Sequence, residues 1–176
     1  MRVIDKKESW VVVFILIVAL LISIILSSNH ADIIREIPDQ VAILTDNDMM
    51  VPTPSGKILI GKSSRDDVMK IYPDGNDLGK SGVYHPSNLD CLFTFSRQEN
   101  VLIRMDIGVS DLSTSRGIKV NDSFEKVVGK YGNGYTKAYD KNKPQIFDAY
   151  YGSDQYILFK IEDNLVKKIY IGSPIQ

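Results

Sequence analysis

Few side chains in this chain are suited to chemistry. They are two histidines, His30 and His85, a single cysteine, Cys91, and an acidic, glycine-bearing stretch over residues 74–81. A zinc centre needs three or four converging ligands, and two histidines far apart with one cysteine do not supply them. A serine triad on a nucleophile elbow needs G-x-S-x-G, which the sequence lacks. His85 is expected in a turn before Pro86. Cys91 falls in the apolar run 89–95, where a buried, inert thiol is expected rather than a nucleophile. Gly75-Asn-Asp-Leu-Gly-Lys-Ser81 is one residue short of a phosphate loop and follows a predicted helix, so its amides are not set to cradle phosphate. Asp74-Gly-Asn76-Asp-Leu78-Gly79 matches part of a calcium loop. Leu78 holds a ligand position there, and His85 stands where a bidentate Glu is required. Asp46, Asn47 and Asp48 form a second acidic cluster in a predicted linker. No catalytic residue, metal, cofactor or nucleotide is expected.

Binding chemistry is better represented. Of nine tyrosines, Tyr135, Tyr139, Tyr150, Tyr151, Tyr156 and Tyr170 fall in the second half. Tyr156, Lys160, Lys168 and Tyr170, joined by Arg104 from the first half, are the candidate binding residues. Exposed rings beside long cations suit a protein contact. The competing reading is that tyrosines simply favour half-buried strand positions.

These residues need a sheet to align them, and the chain carries two similar runs. Ile58-Leu-Ile-Gly-Lys-Ser63 resembles Ile118-Lys-Val-Asn-Asp-Ser123 at an offset of 60. Each leads into a short helical pattern, over 66–72 and 124–131. Ser63 or Ser64 and Asp122 or Ser123 are the N-cap candidates, and Pro73 and Gly132 stop the helices. At an offset of 64, Phe93 and Phe95 align with Ile157 and Phe159, Asn100 with Asn164, and Ile107-Gly108 with Ile171-Gly172. Each half reads as a helix followed by an antiparallel meander, with a further strand at about 82–85 and 146–151. Phe95 and Phe159 are expected at equivalent core positions. Alternation places Phe93, Phe95, Val101, Ile103, Met105 and Ile107 on one face. Ile157, Phe159, Ile161, Leu165, Ile169 and Ile171 take that face in the second half. Arg104, Asp106, Tyr156, Lys160, Lys168 and Tyr170 fall opposite. Leu102, Leu158 and Val166 break the pattern as apolar outer residues, and Lys167 as an inner one.

The working place is expected to be a membrane. Apart from Ala19 and Ser23, residues 11–26 are all Val, Ile, Leu or Phe. As a helix, residues 10–28 would reach about 28 Å, the thickness of a bilayer's hydrocarbon core. Arg2, Lys6 and Lys7 precede the segment, which puts the N-terminus in the cytoplasm and the remainder outside. A cleaved signal peptide is the alternative, but residues 27–31 offer a poor cleavage site. The expected division is a cytoplasmic 1–9, a transmembrane 10–28, a stalk over 29–55, a repeat over 56–109, a Ser/Thr-rich linker over 110–116 and a repeat over 117–173. With a formal net charge of −1, a nucleic-acid surface is not expected.

Gly117-Ile-Lys-Val-Asn-Asp-Ser-Phe-Glu-Lys-Val-Val-Gly-Lys-Tyr-Gly132, followed by strands, resembles the repeating unit of exported bacterial domains of the β-lactamase-inhibitor-protein-like class. Small outer-membrane-assembly lipoproteins use a single related unit, and tandem versions occur in Gram-positive bacteria. The resemblance covers residues 56–173 and implies a domain that binds proteins without catalysis. The inhibitor's disulfides have no counterpart beside a lone Cys91. The expected class is α+β, with an N-terminal transmembrane helix and two tandem helix-plus-meander repeats. The expected function is a membrane-anchored extracytoplasmic binding module whose partners are the lipid bilayer, through residues 10–28, and another envelope protein. A tethered cell-envelope hydrolase is the rival.

Overall fold

The computed structural model describes residues 32–79 and 82–173. Its centre is one nine-stranded antiparallel sheet. The strands are β1 (Ile33–Glu36), β4 (Gly75–Asp77), β5 (Val83–Pro86), β6 (Cys91–Phe95), β7 (Leu102–Ile107), β8 (Tyr135–Asp140), β9 (Ile146–Gly152), β10 (Tyr156–Glu162) and β11 (Leu165–Gly172). Their spatial order is β1-β8-β9-β10-β11-β7-β6-β5-β4. Two four-strand meanders thus meet along the β11–β7 seam. A separate hairpin pairs β2 (Met50–Thr53) with β3 (Gly56–Leu59). The helices are α1 (Arg65–Ile71) and α2 (Phe124–Tyr131).

The expected class is corrected by this architecture. The described chain is predominantly antiparallel sheet, and its two α-helices are only seven and eight residues long. Each makes about two turns, too little to form a helical layer. Among the described residues no helix is long and apolar enough to cross a membrane. The segment 10–28, with His30, lies outside the described residues.

Both helices start on a serine that turns the chain. Ser64 accepts from the Asp67 amide, and Ser123 from the Lys126 amide. Each N-terminus also docks on a hairpin turn. The Arg65 amide donates to the Asn100 carbonyl and the Phe124 amide to the Asn164 carbonyl. Both asparagines are left-handed, with φ of 54° and 63°, a conformation that Asn tolerates better than most residues. Val68, Val127 and Tyr131 then reach a core shared with Phe93, Tyr151 and Phe159.

Two β-bulges account for three of the four residues that broke the alternation, Leu102, Val166 and Lys167, while Leu158 stays on the outer face. Pairing shifts register between Thr94 and Phe95 and again between Lys160 and Ile161. An extra residue on the partner strand reverses side-chain direction beyond it. Leu102 and Val166 therefore point inward and are fully buried, while Leu165 and Lys167 are exposed. The bulges also move the expected Phe95–Phe159 equivalence. Phe93 pairs with Met105 just before one bulge, as Phe159 pairs with Ile169 before the other. Phe95 instead corresponds to Ile161.

Much of the expected stalk belongs to this domain. Strand β1 hydrogen-bonds along β8, the Ala42 amide donates to the Gly134 carbonyl, and Met49 and Val51 are core residues. The expected linker is likewise packed, with Leu112 and Thr114 buried. Arg116 closes it by a two-pronged ion pair to Asp48 and a bond to the Lys130 carbonyl. The hairpin and both helices share the core that lines one sheet face. The other face carries the candidate residues.

Candidate functional site

Strand register places three cross-strand rows on the open face. One runs Tyr156, Gly172, Arg104, Thr94 across β10, β11, β7 and β6. The next runs Tyr150, Leu158, Tyr170, Asp106 from β9 to β7, and the third runs Asp148, Lys160, Lys168. All five expected residues, Tyr156, Lys160, Lys168, Tyr170 and Arg104, therefore share one patch. Arg104 and Gly172, 68 apart in sequence, become neighbours because β11 pairs with β7.

The rings lie flat rather than standing free. Tyr156 stacks on Tyr150 with centroids 5.3 Å apart and planes 18° apart. It also folds across Gly172, where an added Cβ would come within 2.6 Å of its ring. A side chain at position 172 would occupy the ring's seat, so glycine is required for close approach rather than for backbone freedom.

Arg104 organises the first-half side. Its Nε and Nη2 donate to the two carboxylate oxygens of Asp106 at 2.6 and 2.9 Å. Its guanidinium lies 4.9 Å from the Tyr170 centroid. The bond to Asp106 raises the arginine's pKa further. Asp106 is nearly buried, and its charge is satisfied by this fork. On the other flank the Lys168 ammonium is 5.7 Å from the Tyr170 centroid.

Lys160 and Lys168 sit directly opposite one another. Like charges in that position are unfavourable for a sheet. Asp148, opposite Lys160 on β9, relieves part of that repulsion. Burial holds the Asp148 carboxyl above its ordinary range, against the opposing pull of Lys160. Among the described residues the Asp148 carboxylate has no hydrogen-bond partner.

Arg104, Asp148, Tyr156, Leu158, Lys160 and Tyr170 line an open depression of about 190 Å³. Its floor is aromatic and aliphatic, and its rim carries cations. It can seat an apolar or aromatic side chain and pair with acidic groups beside it. The expected binding set did not include Tyr150, Asp148 or Leu158. Leu158 did leave a signal, as an apolar residue on the wrong face.

The motifs considered for catalysis are not brought together. His85 lies in β5 opposite Asn76, Cys91 is buried in β6, and Asp77 is engaged by Arg65. Burial pushes the Cys91 thiol far above its usual range. Lys80 and Ser81 lie outside the described residues. Among those described, no three His, Cys, Asp or Glu side chains converge on a metal position.

No family model matches the chain, and no curated protein matches it. A solved structure, an extracellular protein containing a SCP domain from Bacillus anthracis str. Ames, is similar at 7% identity with a TM-score of 0.47. The match covers 63% of this chain and 43% of that one, so the chain spans less than half that protein's length. A likeness at this level supports no statement about fold or activity.

Proposed function

We propose that this chain is a membrane-attached, extracytoplasmic protein-binding module that works without catalysis through the open sheet face. The observation that carries the reading is the depression at Tyr156, Leu158 and Tyr170, on a face that no helix among the described residues covers. The opposed pair Lys160 and Lys168 adds to it, because the fold gains nothing from that juxtaposition. The partner is another envelope protein presenting an apolar or aromatic side chain flanked by carboxylates. The apolar segment 10–28 supplies attachment to the bilayer, with the basic N-terminal flank in the cytoplasm. The resemblance of residues 117–132 to exported protein-binding domains points the same way.

Asp148, the half-buried carboxyl in the depression, is what a tethered hydrolase would use. Glycoside hydrolysis needs two carboxyls acting across one bond. Among the described residues that line the depression, Asp148 is the one carboxyl, so binding is the better reading.

The test is photocrosslinking in intact cells from a reactive residue at Thr136, on the same face. Changing Tyr156→Ser and Tyr170→Ser together should abolish the crosslink and leave the melting temperature nearly unchanged. A crosslink that survives the double change overturns the reading.

A further inference from the structure

Seven large apolar side chains are well exposed among the described residues, and four of them, Ile33, Ile37, Val41 and Ile43, lie within one short segment. Ile43 is 88% exposed and Ile37 74%. The segment is not a loose tail. It runs down one margin of the sheet, from Ile33 beside Asp140, through Glu36 beside Lys137, to Ala42 bonded to Gly134. It thereby covers β8 and becomes the sheet edge itself. Edges in water are normally blunted by charge or proline; this one carries Arg35, Glu36 and Pro38 but also leaves four large apolar side chains in water.

Chain length says what covers it. The apolar segment ends at residue 28, and β1 begins at Ile33. Five Cα steps span at most roughly 18 Å. The headgroup layer on one side of a bilayer takes about 6 Å of that. The remainder is less than the radius of a domain of this size, for which a radius of gyration of about 14 Å is usual. Since residues 33–53 are folded into the domain, no stalk remains to lift it away.

We infer that the β1 edge, from Ile33 to Ile43, rests against the lipid headgroup and acyl boundary, so that the sheet meets the membrane edge-on. The inference rests on the membrane attachment proposed above. Arg35, Glu36, Asp39 and Gln40 are exposed between the apolar residues, a mixture suited to the interface rather than the hydrocarbon core. The β8–β9 turn beside Ile33 offers exposed Lys141 and Lys143 next to Asp140, cations that attract anionic headgroups. An edge-on stance leaves the open face, with Tyr156 and Tyr170, turned sideways toward neighbouring membrane proteins.

The test uses the full chain in vesicles of phosphatidylcholine and phosphatidylglycerol. An environment-sensitive maleimide dye is placed at Ile43→Cys, or at Asp66→Cys in α1 as control. Asp66 adjoins Arg65, which pairs with β4 at the opposite edge. Native Cys91 is 1% exposed and stays silent. Shallow spin-labelled lipid should quench the dye at position 43 several-fold more than at 66. Chain that fails to float with the vesicles overturns the attachment and this inference together. Chain that floats but shows equal quenching at both positions overturns this inference alone. Crosslinking between cysteines at position 43 without quenching also overturns it, in favour of a second copy on the edge.

Discussion

Arg116 grips Asp48 across 68 residues of sequence, with Nε to Oδ1 at 2.6 Å and Nη2 to Oδ2 at 2.8 Å. Asp48 is 1% exposed and also accepts from the Thr45 amide and hydroxyl. The same guanidinium lies 4.4 Å from the Tyr131 centroid. One arginine thus ties the 3-10 turn at Asp46–Met49 to the loop before residue 117 and to the end of α2.

Removing one partner of this pair should be costly, because it strands a buried charge. Arg116→Met is expected to destabilise the domain by about 3 kcal/mol or more. Changing Asp48→Asn alongside it should cost clearly less than the sum of the two single changes. Urea denaturation of the three variants measures the coupling, and additive losses would contradict it.

The pair also sets an acid limit. Burial pushes the Asp48 carboxyl up, but Arg116 and the two Thr45 donors outweigh it and hold the carboxyl below its ordinary 3.8. A group depressed on folding contributes stability above its unfolded pKa and loses it as pH falls through the folded one. Stability should therefore decline below about pH 4, and Asp48→Asn should flatten that decline. Thermal melts between pH 7 and pH 2.5 test this, and an unchanged slope in the variant would count against it.

Asp148 should behave with the opposite sign. Its carboxyl is raised by burial, so its ionisation opposes folding as pH rises past the unfolded value. Asp148→Asn is expected to raise the melting temperature at pH 7, with the gain vanishing below about pH 4. A variant that melts lower at pH 7 would mean that its charge pairing with Lys160 outweighs the desolvation.

Phe93 and Phe159 are fully buried at matching positions before the two bulges. Truncating either to Ala should cost roughly 3–5 kcal/mol, a large part of the 5–15 kcal/mol that typically stabilises a domain. An unchanged melting temperature in Phe159→Ala would contradict the packing.

Gly172→Ala probes the face without touching a ring. The new Cβ would meet the Tyr156 ring at 2.6 Å and must drive it off Tyr150. The near-ultraviolet tyrosine dichroism should change, and the crosslink from Thr136 should weaken. If neither moves, the seating of Tyr156 has been misread.

Features that depend on neighbours along the chain are legible in the amino-acid order. The caps were narrowed to Ser63 or Ser64 and to Asp122 or Ser123, since a cap needs only its next three residues, and the structure selects Ser64 and Ser123. The alternation from Phe93 and Ile157 onward marked the buried face up to each bulge, because strand side chains alternate regardless of what pairs with them. It placed Tyr156, Lys160, Lys168, Tyr170 and Arg104 on one face for the same reason. What those strands pair with depends on contacts far apart along the chain. The bulges that turn Leu102 and Val166 inward are properties of a pair of strands, not of one. Residues 33–53 looked like a stalk because β1 gains its hydrogen bonds from β8, about a hundred positions later, and carries few buried side chains of its own. Asp48 and Arg116 each looked like a solvated loop charge, and only chain folding made one the other's counterion. The helical patterns suggested a mixed fold, yet among the described residues two short helices add little beside eleven strands. Backbone pairing across the β11–β7 seam joined the halves into one antiparallel sheet and brought Arg104 beneath Tyr170.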